Sequence, residues 1–334
     1  MKAQLLFAPS SVDARPLQLK EVPRPAPTAH EVLLKVNTCA ICHTDLHVVE
    51  GDLQLPKLPV VPGHQIIGTV DEVGVDSSKW KLGDRVGVPW LYSTCGMCEY
   101  CLSGRENLCE KARFTGFHVD GGFAEYVVVH EDFTYRIPDT FPDDHAAPLM
   151  CAGVIGYRSL RLSNIKHGQR IGLYGFGASA HIAIQIVRHW QCEVYVFTRS
   201  KHHRELAEEL GAAWTGSANE TPPHPIDGAV IFAPAGQLVP EALRVLKRGG
   251  TVALAGIHMS PIPQMEYKRL YEERTLRSVA NSTRQDVTEL LDVAPDIPIK
   301  TEVDVVPLED ANRALQSLKR SEIRGSGVLR IADR

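Results

Sequence analysis

The sequence predicts an α/β protein in which a doubly wound parallel-sheet domain interrupts a β-rich one. Three observations carry this. Strand and helix patterns alternate from about residue 151 onward, a Gly-x-Gly turn joins the first of those strands to its helix, and short strands broken by Pro and Gly fill the region before them. With 334 residues, 44% hydrophobic and 23% charged, the chain is long and apolar enough to bury the cores of about two domains.

The elements follow in order. Residues 1–150 read as short strands such as Val32–Val36, Ile66–Val73 and Ala124–Val129, with a Cys-rich lobe inserted among them. Arg170–Tyr174 is a short apolar strand running into Gly175, Phe176 and Gly177. The helix after it carries Ala180, Ala183, Ile184 and Val187 at helical spacing. Next come strand Glu193–Phe197 and helix Ser200–Leu210, closed by Gly211 at a C-terminal cap position. Strand Ala229–Ala233, helix Val239–Leu246, a stop at Gly249 and Gly250, and strand Thr251–Gly256 continue the alternation. The last fifty or so residues return to mixed strands with one helix, Leu308–Lys319.

Charge and hydropathy exclude several classes. Thirty-six Lys and Arg against forty Asp and Glu leave a net charge of −4, which gives no electrostatic footprint for nucleic acid or an anionic membrane. The opening MKAQLLFAPS has too short an apolar stretch for a secretory signal. The longest apolar-looking run, residues 171–187, is broken by small residues, His181 and Gln185, so it does not read as a membrane span. The expectation is a soluble, cytoplasmic protein.

Eight Cys in a long globular chain point to metal or catalysis rather than a disulfide scaffold. Cys95, Cys98, Cys101 and Cys109 lie within 15 residues as C-x2-C-x2-C-x7-C. Short Cys-x-x-Cys turns aim two sulfurs at one point, and four thiolates suit a tetrahedral Zn²⁺; Gly96 and Gly104 supply the turns between them. A cluster of buried free thiols and a [4Fe–4S] cluster are the alternatives, though the spacing departs from the common ferredoxin runs. Four Cys saturate the metal, so this lobe is structural and the chemistry lies elsewhere.

Gly175-x-Gly177-x-x-Ala180 follows a strand and opens a helix, where a Rossmann fingerprint stands. The first Gly permits the tight turn, the second lets backbone approach a pyrophosphate, and Ala180 still allows close helix–strand packing. An NAD site usually places an acid at the end of the second strand. Here Thr198 stands in its place and Arg199 is suited to pairing with a 2′-phosphate, with Lys201, His202, His203 and Arg204 adding positive charge. NADP is therefore favoured, with NAD as the alternative; a plain solvated helix start is the bland reading.

Cys42, His43, Thr44, Asp45, Leu46 and His47 concentrate thiol, hydroxyl, carboxylate and imidazole in six residues. His64 follows a Pro-rich loop, and Cys151 closes the β-rich region. Cys42, His64 and Cys151 would form a Cys2His set with one position open, the pattern of a catalytic zinc. Spacing alone leaves open whether the three converge.

At these residues the chain resembles a medium-chain, zinc-dependent alcohol dehydrogenase across nearly its full length. The resemblance rests on the Cys42–His47 segment, Pro62-Gly63-His64, Leu82–Val86, the four-Cys lobe, Gly121–Glu125, Cys151 and Gly175-x-Gly177. It implies a β-rich GroES-like catalytic domain from residues 1–151 and 284–334, with the lobe at 93–111, and a Rossmann coenzyme domain at 152–283. The active site is expected in the cleft between them. It implies two Zn²⁺ per chain, one held by Cys42, His64 and Cys151, where a zinc-bound alkoxide loses hydride to the nicotinamide. Thr44 would take the alcohol proton and pass it through the nicotinamide ribose to His47. Asp45 would fix a ligand His, and His43 would contact the coenzyme pyrophosphate.

Trp90 resembles a bulky residue that lines the inner substrate pocket, which favours small or linear primary alcohols and their aldehydes, with aromatic ones admitted; a buried core Trp is the plain alternative. Cys39 and Cys192 read as packing. Three departures stand out: Gln65 where the family usually has Glu, Ser326 near a usual pyrophosphate-binding Arg, and Thr198-Arg199 in place of the acid. A zinc polyol or sugar dehydrogenase of the same fold commonly has Glu as third ligand and often lacks the lobe. A non-enzymatic zinc-stabilised binding protein would have lost part of the relay or the open site. The family also implies a homo-oligomer, tetramer or dimer.

Overall fold

In the computed structural model, which describes residues 1–332, the chain divides into two units. One comprises Met1–Cys151, Ser282–Leu291 and the chain from Thr301 onward; the other comprises Ala152–Asn281 and Asp292–Lys300.

The first unit is built on a mixed sheet whose spine is the strand Glu31–Ala40. Val32, Leu33, Leu34, Val36 and Cys39 are all fully buried, so this strand is covered on both faces and reads as a nearly continuous apolar run. On one side it pairs antiparallel with Gln65–Val73, which in turn pairs with Arg85–Val88; on the other it meets Ser326–Arg330 at one end and Tyr126–His130 at the other. The register sets Ala40 opposite Gln65. The chain leaving the first strand at Cys42 and the chain entering the second at His64 therefore lie at the same end of the sheet.

The second unit carries, among the described residues, a six-stranded sheet with every pairing parallel. Its spatial order is Trp214–Gly216, Glu193–Phe197, Arg170–Tyr174, Ile226–Ile231, Leu246–Leu254, Thr275–Ser278. Numbered along the chain this is 3-2-1-4-5-6, the doubly wound dinucleotide-binding order, with its switch point beside the first strand. Helix Ala178–His189 buries Ile182, Ala183, Ile184, Ile186 and Val187. Tyr174 and Phe197, at the ends of neighbouring strands, stack with ring centroids 4.1 Å apart.

Two local expectations change. Gly249 and Gly250 do not stop the fifth strand but lie within it, where a register shift in its pairing with the Ile226–Ile231 strand takes up the extra residues. Arg284–Val293 is a helix that the sequence reading left out. Its signal was present: Thr283 and Asp286 form a reciprocal capping pair, each backbone N–H donating to the other's side chain, ahead of Val287, Leu290 and Leu291 at helical spacing. Among the described residues no helix is long and apolar enough to cross a membrane.

Candidate functional site

Cys42 caps the short helix His43–Glu50, which follows the spine strand after a two-residue turn. Its sulfur accepts from the Thr44 N–H while the Asp45 carboxylate reaches back to the Cys42 N–H at 2.9 Å, a capping box with thiol in place of hydroxyl. Cys151 arrives from a different part of the unit, directly after Met150. Met150 is seated against Gly87, where an added Cβ would come within 2.2 Å of its sulfur and push the side chain aside.

The structure brings Cys42 Sγ, a ring nitrogen of His64 and Cys151 Sγ within 4.8 Å of one another. The two sulfurs are 4.0 Å apart. A tetrahedral zinc with Zn–S bonds of about 2.3 Å requires sulfurs about 3.8 Å apart. His64 is buried, its Nδ1 bonded to Asp45 Oδ1 at 2.9 Å, while its Nε2 is buried with no hydrogen-bond partner. A buried, unsatisfied nitrogen beside two free thiols is a donor set that fits a metal ion. Three donors leave a fourth position for substrate.

The electrostatics fit the same reading. Burial opposes a charged His64, but the Asp45 carboxylate and Cys42 outweigh it and push its pKa up to about 10. The hydrogen bond from Cys151, together with His64, holds the Cys42 thiol well below its ordinary value, while Cys151 as the donor is pushed up.

Asp45 is buried, and besides Cys42 and His64 it accepts from the Gly63 N–H at 3.1 Å, tying the helix start to the His64 loop. Thr44 is buried with its hydroxyl 3.7 Å from Cys42 Sγ, and His47 lies one turn further on, its Nδ1 2.8 Å from Asp52. His43 is exposed. Trp90 is half-buried 6.1 Å from His64, centroid to centroid, and stacks on Phe114 at 4.3 Å. Sequence reasoning missed Phe114; the cue was its place just beyond the Cys-rich lobe, which folds the Arg113–Phe114 strand back onto Leu91–Ser93.

Cys95, Cys98, Cys101 and Cys109 have their sulfurs within 4.8 Å of one another, with Cys98–Cys101 at 3.5 Å and Cys95–Cys101 at 3.9 Å. None is in a disulfide. The backbone N–H groups of Met97 and Cys98 point at Cys95 sulfur and lower its pKa to about 6, which favours the thiolate that metal binding requires. Four sulfurs close the shell. The lobe is anchored by buried Glu106, which accepts from the Arg284 backbone N–H at 2.8 Å.

In the second unit, Gly175 adopts φ of +86° at the switch point, and a Cβ there would press on Ala233 at 3.0 Å. Gly177 caps helix Ala178–His189 with no side-chain hydrogen bond, and a Cβ on it would meet nothing within 4 Å. Open space over a helix N-terminus without a side-chain cap suits an anionic group. Ala180 is fully buried under the helix. Thr198 is buried at the end of the second strand, Arg199 is exposed, and Ser200 caps the next helix. Arg204 donates to the Thr198 carbonyl at 2.9 Å and to Ser217 Oγ at 2.9 Å, holding that loop in place.

A dinucleotide-binding sheet with a thiolate–imidazole donor set left one ligand short is the architecture of a metal-dependent dehydrogenase. Residues 28–139 match the alcohol dehydrogenase GroES-like domain, and residues 180–295 match the zinc-binding dehydrogenase family. The chain is 44% identical over 339 residues to a probable alcohol dehydrogenase, AdhA, of Mycobacterium tuberculosis, covering 99% of this chain and 97% of that protein. A cinnamyl alcohol dehydrogenase of Sorghum bicolor superposes with a TM-score of 0.89 at 28% identity, covering 98% of this chain and 97% of that one. The CAD of Helicobacter pylori, solved with NADP(H), gives 0.87 at 25% identity and 99% of each chain. The chain belongs to the medium-chain, zinc-dependent alcohol dehydrogenase family. Its activity is that of a zinc-dependent oxidoreductase acting on alcohols.

Proposed function

We propose that the chain interconverts small or linear primary alcohols and their aldehydes, with two zinc ions per chain and NADP as the favoured coenzyme. The observation that carries the reading is the convergence of Cys42, His64 and Cys151, with His64 Nε2 buried and unpaired. Those three would hold the catalytic zinc, and Cys95, Cys98, Cys101 and Cys109 the structural one. Bound by three protein donors, zinc supplies a Lewis acid that brings an alcohol's ionisation near neutral pH.

The chain's own residues do the rest. Asp45 orients His64 and keeps Nε2 directed at the metal position, because Nδ1 is committed to the carboxylate. Thr44 takes the alcohol proton and His47 delivers it to solvent. Trp90, stacked on Phe114 beside His64, forms a flat wall that resists branching next to the reacting carbon and accepts linear or planar substrates. Gly175, Gly177 and Ala180 seat the coenzyme pyrophosphate. Thr198 leaves the ribose edge without a carboxylate, and exposed Arg199 offers a fork for a 2′-phosphate. Solved neighbours include both an NADP(H) complex and an NAD complex, so the choice of coenzyme rests on Thr198 and Arg199 alone.

The test is the initial rate of benzaldehyde and butanal reduction by zinc-replete protein, with NADPH and NADH at equal subsaturating concentrations. Faster turnover with NADPH is expected, together with two zinc ions per chain and loss of turnover in Cys42→Ala. Faster turnover with NADH overturns the assignment of Arg199. An active, zinc-replete Cys42→Ala protein overturns the ligand set.

A further inference from the structure

We propose a second ligand site on the second unit: a pocket at the first residues of strands Ile226–Ile231 and Leu246–Leu254 that takes a phosphate monoester carried on an apolar body. The site goes beyond the alcohol chemistry and does not depend on it. In a parallel sheet all strands start on one side, so the pocket lies at the opposite end from the Gly175 turn, apart from the coenzyme crevice. Its volume is about 710 Å³, and its lining carries Arg244, Lys247, Arg248 and Arg274 and, among the described residues, no carboxylate. In a chain of net charge −4, four cations around one pocket are a local concentration that suits an anion.

A break in strand pairing builds the cationic side. Ile226 pairs with Leu246 and Gly228 with Thr251, so residues 247–250 all stand against Asp227. Consecutive side chains of a regular strand point to opposite faces, whereas in this bulge Lys247 and Arg248 both line the pocket. Three carboxylates hold the four cations. Asp227 meets Lys247 at 2.7 Å, Glu241 meets Arg244 at 3.0 Å, and Glu272 bridges Arg248 and Arg274, each at 3.1 Å. One positive charge is left in excess.

The bonds that fix these groups also leave donors over. Arg274 uses Nε on the Leu246 carbonyl at 3.1 Å, and Nη1 on the Tyr271 carbonyl at 2.9 Å and on Glu272; its Nη2 donates to no group among the described residues. Lys247 Nζ meets Asp227 alone, and Arg248 meets Glu272 through Nε, leaving both terminal nitrogens free. Three cations with remaining donors match the three terminal oxygens of a phosphate monoester. Arg244 has a different part. It donates to Thr221 Oγ1 at 2.9 Å and to the Glu220 carbonyl at 2.8 Å, fastening the loop that carries Pro222, Pro223 and Pro225. Three prolines make a wall that is ordered before a ligand arrives, and with Val245 and Leu246 they offer apolar surface to the ligand's body.

The experiment is isothermal titration calorimetry on the zinc-loaded protein in saturating coenzyme, with phenyl phosphate, benzoate and inorganic phosphate as probes. Phenyl phosphate is expected to bind saturably and about tenfold tighter than inorganic phosphate, because its ring leaves water against the prolines. It should also bind about tenfold tighter than benzoate, which brings one charge and two oxygens to three cations. Arg248 is 81% exposed and bonds no backbone group, so Arg248→Glu leaves the fold intact. That exchange of a cation for an anion should weaken phenyl phosphate at least about tenfold. Lys247→Met keeps the stem, removes the charge, and should weaken it about three- to tenfold. Both variants should keep wild-type kcat/KM for alcohol oxidation, since neither residue belongs to the zinc site or the coenzyme crevice. No saturable binding of phenyl phosphate, or binding untouched by both substitutions, overturns the site. Inorganic phosphate or benzoate binding as tightly as phenyl phosphate overturns the assigned ligand class.

Discussion

Replacing Asp45 with Ala removes one small side chain and strips the acceptor from three buried or half-buried donors at once. Cys42 N–H, Gly63 N–H and His64 Nδ1 lie 2.9, 3.1 and 2.9 Å from its carboxylate oxygens. Each orphaned donor costs about 1–3 kcal/mol when water cannot replace the partner, and the lost helix cap is part of the same count. Because the three share one carboxylate they do not add independently, and about 3–5 kcal/mol is the expected loss. Releasing the His64 ring should also weaken zinc binding at that site about 10- to 100-fold. Asp45→Asn preserves size and one acceptor oxygen, so it should lose about 1–3 kcal/mol. The assay is urea unfolding followed by Trp fluorescence, paired with zinc retained per chain after dialysis against a competing chelator. An Asp45→Ala protein within about 1 kcal/mol of wild type, still holding its zinc under competition, would refute the reasoning.

Three further outcomes are expected. Cys98→Ser breaks the four-sulfur shell, so metal analysis should find about one zinc per chain instead of two, and the lobe around Gly96 should become the first site of limited proteolysis; two retained zinc ions would contradict this. Arg199→Asp should lower the NADPH-to-NADH ratio of kcat/KM at least about tenfold by replacing a cation with an anion at the 2′-phosphate position. An unchanged ratio places that contact elsewhere. His181 is fully buried with neither ring nitrogen bonded, and burial lowers its pKa to about 4. The unfolded chain takes up this proton near pH 6.5 and the folded one near 4. Stability present above about pH 6.5 is therefore lost as pH falls towards 4, by about 2 kcal/mol at pH 5. In His181→Leu the urea midpoints at pH 7 and pH 5 should draw together by that amount, and a parallel pH dependence in both proteins would sink the assignment.

Legibility in the sequence follows the range of the interaction that places each residue. The four-Cys lobe spans 15 residues, so the four sulfurs that meet all come from one short segment. The Gly175-x-Gly177 turn is likewise a strand end and a helix start in one short segment. Strand Glu193–Phe197 and helix Lys201–Glu209 show in the same way, through local pattern and caps. At Thr283 and Asp286 the local pattern is a single capping pair, too brief by itself to mark the helix that follows. Phe114 stands just beyond the lobe, but its stacking on Trp90 depends on how the lobe folds back, which spacing does not encode.

By itself the sequence determined the alternation of strands and helices, the thiol cluster, the glycine turn and the identities of the candidate donors. Tertiary structure decided which of those donors meet. Cys42 and His64 share one end of a sheet because Ala40 pairs with Gln65, and Cys151 joins them from a segment more than eighty residues further along the chain. Asp52 reaches His47 only after Gly51 turns the chain back. Spacing encodes contacts made within a turn or two, whereas register and close packing are set by many residues far apart in the chain, and it is these that bring the donors around one point.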